Sequence, residues 1–171
     1  MQQSDWLTNA ARALMAAGLL ALGCAEAASG LAGSEAPDFV LKSLSGSNIR
    51  LSEYRGRIVM LVFWASWCGD CRGQLETLAD VYESYHEAGF DVLAVNLDRD
   101  ERQAREAAQG WQADYPILYD AGGEVGRSYD VGAMPLAVLI DRDGVIREVV
   151  RGFGRGQGEE YLERVRALLR E

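Results

Sequence analysis

Ile58-Val59-Met60-Leu61-Val62-Phe63-Trp64-Ala65-Ser66-Trp67-Cys68-Gly69-Asp70-Cys71 opens with an unbroken apolar run and closes on two cysteines with two residues between them. An apolar run rich in β-branched and aromatic residues reads as a buried strand. Helical spacing begins directly after it. Leu75, Leu78, Ala79 and Tyr82 form an inward stripe, while Glu76, Asp80 and Glu83 face water. The thiols therefore stand where a buried strand hands over to a helix.

Two cysteines at this spacing close a small disulfide ring with little backbone movement when they open a helix. The first stays exposed, and its thiolate meets unsatisfied backbone N–H groups and the positive end of the helix dipole, which lower its pKa below the free-cysteine value of ~8.5. Cys68 is thus the expected nucleophile and Cys71 the resolving thiol. A buried structural pair and half of a metal site are the alternatives, and a metal site needs further ligands at recognisable spacing. Beyond this pair the chain carries only Cys24 and His86, so neither a metal nor a cofactor is expected. His86 reads as an ordinary helix residue. Trp64 and Trp67 read as packing beside the thiols, with Trp67 also able to shield Cys68 and contact a partner.

A length of 171 residues suits one domain with a single core. The formal charge of −9 argues against nucleic acid as a partner, because phosphates call for a basic surface. Acidity otherwise fits either a basic partner or a solvated exterior.

The first thirty residues differ from the rest. Ala13 to Leu22 is Ala/Leu-rich, followed by Gly23-Cys24 and Ala25-Glu26-Ala27-Ala28, the pattern of an export signal. Its apolar part is shorter than the ~20 residues that span a bilayer. Leu20-Ala21-Leu22-Gly23-Cys24 resembles a bacterial lipobox, although Ala21 stands where leucine is usual and Arg12 is the whole basic region. A lipidated Cys24 is the leading expectation, ahead of cleavage after Ala27 and of an uncleaved anchor. Residues 1–24 are accordingly assigned to the signal, 25–34 to a linker and 35–171 to the domain. The domain is expected outside the cytoplasm, touching the membrane only through this N-terminus.

From Ala36-Pro37-Asp38-Phe39 onward strand and helix signals alternate, giving an α/β class. A hairpin is expected from Phe39 to Leu51, turning at Ser45-Gly46-Ser47. Phe90 to Leu97 reads as a second buried strand, Glu101 to Gln109 as a helix and Ile117-Leu118-Tyr119 as a short strand. Leu136 to Ile140 and Val145 to Val150 form a hairpin around Asp141-Arg142-Asp143-Gly144. Tyr161, Leu162, Val165, Leu168 and Leu169 mark a final amphipathic helix.

Ala36-Pro37-Asp38-Phe39, then Phe63-Trp64-Ala65-Ser66-Trp67-Cys68-Gly69-Asp70-Cys71-Arg72, then Met134-Pro135 occur in the order typical of one family. From Gly33 to its C-terminus the chain resembles TlpA/ResA-like thiol–disulfide oxidoreductases. The resemblance implies a thioredoxin fold, a central mixed sheet flanked by helices. It implies a cis-proline loop facing the cysteines, here Met134-Pro135, which presents the Met134 backbone to an extended peptide. It also implies a disulfide-bearing exported protein as substrate and a DsbD-like membrane electron donor. Trp67, Gly69 and Asp70 join Met134 and Pro135 as substrate-binding or tuning positions.

Departures from the family pattern cluster near the chemistry. Asp70 occupies a common proline position, where its carboxylate opposes the thiolate and favours a stronger reductant, with Arg72 offsetting part of the charge. Gln74 replaces a glutamate common three residues beyond the second cysteine and cannot accept a proton as an acid does. Val62 stands where thioredoxin buries an acid, so no buried acid is expected. Leu136-Ala137 lacks the glutamate of members specialised in cytochrome c maturation, which favours general disulfide reduction. Two rivals remain. A peroxiredoxin shares the Ala-Pro-Asp-Phe opening, but Ala65 stands where its chemistry needs threonine. A copper-binding module would use the thiols as soft ligands, and one histidine with no methionine cluster weakens it.

Overall fold

The computed structural model describes residues 30–111 and 114–171. The expected export signal, with Cys24, lies outside the described residues. Seven strands form one mixed sheet in the order β2-β1-β5-β4-β3-β6-β7. They are β1 (Val40–Ser43), β2 (Asn48–Arg50), β3 (Ile58–Trp64), β4 (Phe90–Asn96), β5 (Ile117–Tyr119), β6 (Leu136–Ile140) and β7 (Ile146–Arg151). The helices are α1 (Gly69–Tyr85), α2 (Glu101–Ala108), α3 (Glu124–Ser128) and α4 (Gln157–Leu169). β3, β4 and β5 run parallel, while β6 is antiparallel to β3 and β7 to β6.

β3 shows why the apolar run has no polar break. Its neighbours β4 and β6 cover both edges, and helices and loops cover both faces, so every one of its residues is buried. Successive side chains point to opposite faces. Ile58, Met60, Val62 and Trp64 enter the core beneath α1 and α4. Val59, Leu61 and Phe63 enter the opposite core, which Phe39, Val125 and Tyr129 complete. Parallel neighbours require crossover connections. α1 joins β3 to β4 and α2 joins β4 to β5, which puts the turn after β3 at the exposed end of the sheet.

The N-terminal hairpin, the active-site helix, both central strands, the C-terminal hairpin and the last helix appear as the sequence pattern predicts. The face that α1 buries is different. Cys71, Gln74, Leu75, Leu78 and Val81 are buried, whereas Ala79 and Tyr82 are only half-buried. The cause is α4, which packs beside α1 and turns Gln74 inward, where its Nε2 donates to the Tyr161 hydroxyl at 2.8 Å. Contact between these helices is close enough that a Cβ on Gly158 would lie 2.8 Å from Thr77 Cγ2.

Two short elements escape the sequence pattern. Leu51–Tyr54 forms a 3-10 turn. α3 is held by Asp120, whose carboxylate accepts from Glu124 N at 3.1 Å and Gly126 N at 2.9 Å. Packing also reaches back into the segment assigned to the linker. Gly33 N donates to Ile146 O at 2.7 Å, Ile146 N donates to Ser34 O at 2.9 Å, and Leu31 rests on the second core. Among the described residues no helix is long and apolar enough to cross a membrane.

Candidate active site

β3 ends at Trp64, and the chain turns through Ala65, Ser66 and Trp67 before α1 begins. Cys68 is the residue that caps α1, in extended conformation, with its N–H donating to Ala65 O at 3.1 Å. Cys71 lies one turn into the helix. The two form a disulfide with their Cα atoms 5.4 Å apart. Cys68 is half-exposed and Cys71 is 1% exposed, so an incoming group reaches the first sulfur and not the second. After reduction, Cys68 stands at the orphan N–H groups and positive dipole end of a long helix, which favour its thiolate.

The structure brings the second motif to the pair. The Met134–Pro135 peptide bond is cis. Pro135 is buried, its carbonyl accepts from Gly152 N at 2.8 Å, and Met134 packs against the core that holds both cysteines. Trp67 is 70% exposed, a large apolar surface beside Cys68, while Trp64 three residues earlier is 1% exposed. Gly69 and Asp70 lie at the exposed start of α1. The Arg72 guanidinium pairs with Glu76, one turn further on, at 2.9 Å.

Three features were not foreseen in the sequence. The first is a buried acid. Val62 does occupy the strand position below the pair, but Asp98, just beyond β4, is 2% exposed. Its carboxylate accepts from Ser66 N and Ser66 Oγ, both at 2.9 Å, and from Asn96 Nδ2 at 2.8 Å. The second is Trp111, which packs on Trp64 with ring centroids 4.6 Å apart. With Ala107 it walls a cavity of about 230 Å³ whose other side is Cys68, Cys71 and Arg72. The third is a pair of buried polar atoms, Trp64 Nε1 and Gln74 Oε1, that have no hydrogen-bond partner among the described residues. Gln74 thus keeps an acceptor free one turn after Cys71. Burial raises the Tyr161 pKa, against a smaller opposing effect of the Gln74 hydrogen bond, and keeps that hydroxyl neutral. Among the described residues no cluster of His, Cys, Asp and Glu could hold a metal ion.

Known proteins share this arrangement. The AhpC/TSA family profile matches residues 32–149, and the thiol–disulfide oxidoreductase ResA of Bacillus thuringiensis subsp. konkukian is 34% identical over 134 residues, 78% of each chain. The chain belongs to the AhpC/TSA family, as a TlpA/ResA-like thiol–disulfide oxidoreductase. ResA of Geobacillus kaustophilus is 35% identical over 135 residues, again 78% of each chain. Among solved structures, a putative thiol:disulfide interchange protein DsbE from Chlorobium tepidum superposes with a TM-score of 0.77 at 36% identity, covering 81% of this chain and 97% of its own. The exposed lipoprotein thioredoxin of Streptococcus pneumoniae gives 0.69 at 28% identity, covering 77% and 100%. The family's thioredoxin fold is the one found here. Its redox chemistry accounts for a half-exposed sulfur bonded to a buried one.

Proposed function

We propose that this oxidoreductase reduces disulfides of exported proteins through a Cys68/Cys71 dithiol–disulfide cycle. The observation that carries it is the asymmetry of the pair: Cys68 caps α1 and is half-exposed, while Cys71 is buried behind it. The Cys68 thiolate attacks one sulfur of a partner disulfide. A Cys68–partner bond forms, the partner's S–S bond breaks, and one partner thiolate leaves. Cys71, as thiolate, then attacks Cys68 Sγ. The Cys68–Cys71 bond forms and the second partner thiolate leaves, so two electrons have passed to the partner and its thiolates take up two protons from solvent. Met134, at the cis-proline loop, offers its backbone to the extended partner chain, and Trp67 covers the mixed disulfide. Gly69 and Asp70 shape the helix start that stabilises the Cys68 thiolate.

Steady turnover needs an electron donor, which we assign to a DsbD-like membrane protein. The leader supports an extracytoplasmic domain tethered by a lipidated Cys24, and the match to an exposed lipoprotein thioredoxin supports the same reading. Cytochrome c maturation is a narrower form of the same reaction, and Leu136-Ala137 after the proline favours the general one. Cys71→Ser is the test. It should accumulate a covalent adduct between Cys68 and exported proteins that a reductant releases. A reactive Cys68 that traps no partner contradicts the scheme.

A further inference from the structure

We infer that Asp98 is a positioning residue for Cys68: it fastens the turn that presents the thiol, and its buried charge disfavours the thiolate, making the dithiol a stronger reductant. The inference rests on Cys68 as the nucleophile.

The fastening is direct. Ser66 lies two residues before Cys68, and both its N–H and its hydroxyl donate to Asp98. Asp98 is itself locked to the strand. Its N–H donates to Asn96 Oδ1 at 2.9 Å and its Oδ2 accepts from Asn96 Nδ2, with Asn96 fully buried. Asn96 pairs with Trp64 across β4 and β3, and Leu97 N donates to Trp64 O at 2.9 Å. The carboxylate thus ties the cysteine turn to the strand end from which it springs.

Fastening alone does not need a charge, because a neutral amide oxygen would also accept from Ser66. Burying a carboxylate is costly without a cation. Among the described residues no ion pair reaches Asp98, and both its oxygens accept hydrogen bonds from neutral donors. Two residues span at most about 7 Å, so this charge sits within about 10 Å of the Cys68 backbone; Asp98 is buried while Ser66 is exposed and Cys68 half-exposed, so solvent screens part of the interaction. A negative charge there raises the energy of a thiolate and leaves the disulfide unaffected. The other charged groups nearby are Asp70 and Arg72 on α1, Arg72 being paired with Glu76, and, following Asp98, the exposed Arg99 and the half-buried Asp100, which pairs with Arg102. Tyr119 on β5 also senses Asp98: burial first, then Asp100, Glu101 and Asp98, raise its hydroxyl pKa.

Asp98→Asn removes the charge and keeps the shape, while Ser66→Ala removes a hydrogen bond and keeps the charge. The pH dependence of Cys68 alkylation and the equilibrium with a reference dithiol are read on both. Asp98→Asn is expected to lower the Cys68 pKa by about one unit, which means roughly tenfold more thiolate at pH values below it and, only at pH values above it where thiolate is populated, a similar shift toward the dithiol. Ser66→Ala is expected to slow attack on a disulfide without that acid shift. A folded Asp98→Asn protein with unchanged pKa and equilibrium overturns the inference, as does equal behaviour of the two variants. If Asp98→Asn does not fold, the reduced wild-type protein decides. Its Asp98 carboxyl ¹³C resonance should shift with the Cys68 pKa and stay flat over that range in the disulfide form; a flat resonance in both overturns the inference. Alkylation that falls first on Cys71 overturns the assignment of the nucleophile itself, and the Asp98 inference with it.

Discussion

The two ends of the central strands treat buried polar groups in opposite ways. At the start of β3 and β4, Asp91 is almost fully buried and is closed off by the Arg57 guanidinium and by His86 Nδ1 at 3.2 Å. Arg57 also donates to the His86 carbonyl at 2.8 Å, stitching the end of α1 to the sheet. At the other end, beside the disulfide, Trp64 Nε1 and Gln74 Oε1 are buried with no hydrogen-bond partner, and Asp98 is buried with no paired cation, among the described residues. A large indole stands in solvent there. One end is saturated and the other is left with unmet hydrogen-bonding capacity. Buried polar groups are costly unless paired, so the unpaired end is where stability gives way to chemistry.

Changes at the saturated end should cost stability and leave the redox couple alone. Arg57→Ala leaves the buried Asp91 carboxylate without its guanidinium and is expected to destabilise the fold by about 2–3 kcal/mol, less than a fully buried pair because Arg57 is partly exposed. Denaturant unfolding measures the loss. A shift in the potential of the cysteine pair would break the division between the ends. Gly158→Ala tests the helix contact behind Cys71. The added Cβ meets Thr77 Cγ2, and we expect a cost of about 1–2 kcal/mol, seen as a lower melting temperature. Smallest is Asp70→Asn at the open end. Stability should change by less than about 0.5 kcal/mol at this exposed site. The potential should become less negative by at most ~30 mV, the equivalent of one pKa unit. An unmoved potential would make Asp70 a solvated helix-start carboxylate with no tuning role.

This division also explains what the sequence could and could not show. The apolar run Ile58–Trp64 and the cysteines after it announced the strand, the helix and the reactive pair, because burial on both faces leaves an unbroken apolar signature. Met134-Pro135 came from family resemblance, since distant residues that meet across a fold share no local pattern. Gln74 hid in the α1 stripe because polarity reads as exposure, and only the packing of α4 turns it inward. Asp98 looked like any acid in the loop after a strand. Its one local signal is Asn96 two residues before it, the pair that locks together at the end of β4. Trp111 follows Gly110 after a short helix, with no periodic partner to give its burial away.

The central claim is that Cys68 and Cys71 form a reversible, reducing two-electron couple. Equilibrating the protein in graded redox buffers and following the fluorescence of Trp64, Trp67 and Trp111 tests it most directly. We predict a single two-electron transition near thioredoxin's ~−270 mV. A transition near DsbA's ~−120 mV would make the protein an oxidant and contradict the proposed direction of electron flow. Absence of any reversible transition would contradict the redox account itself.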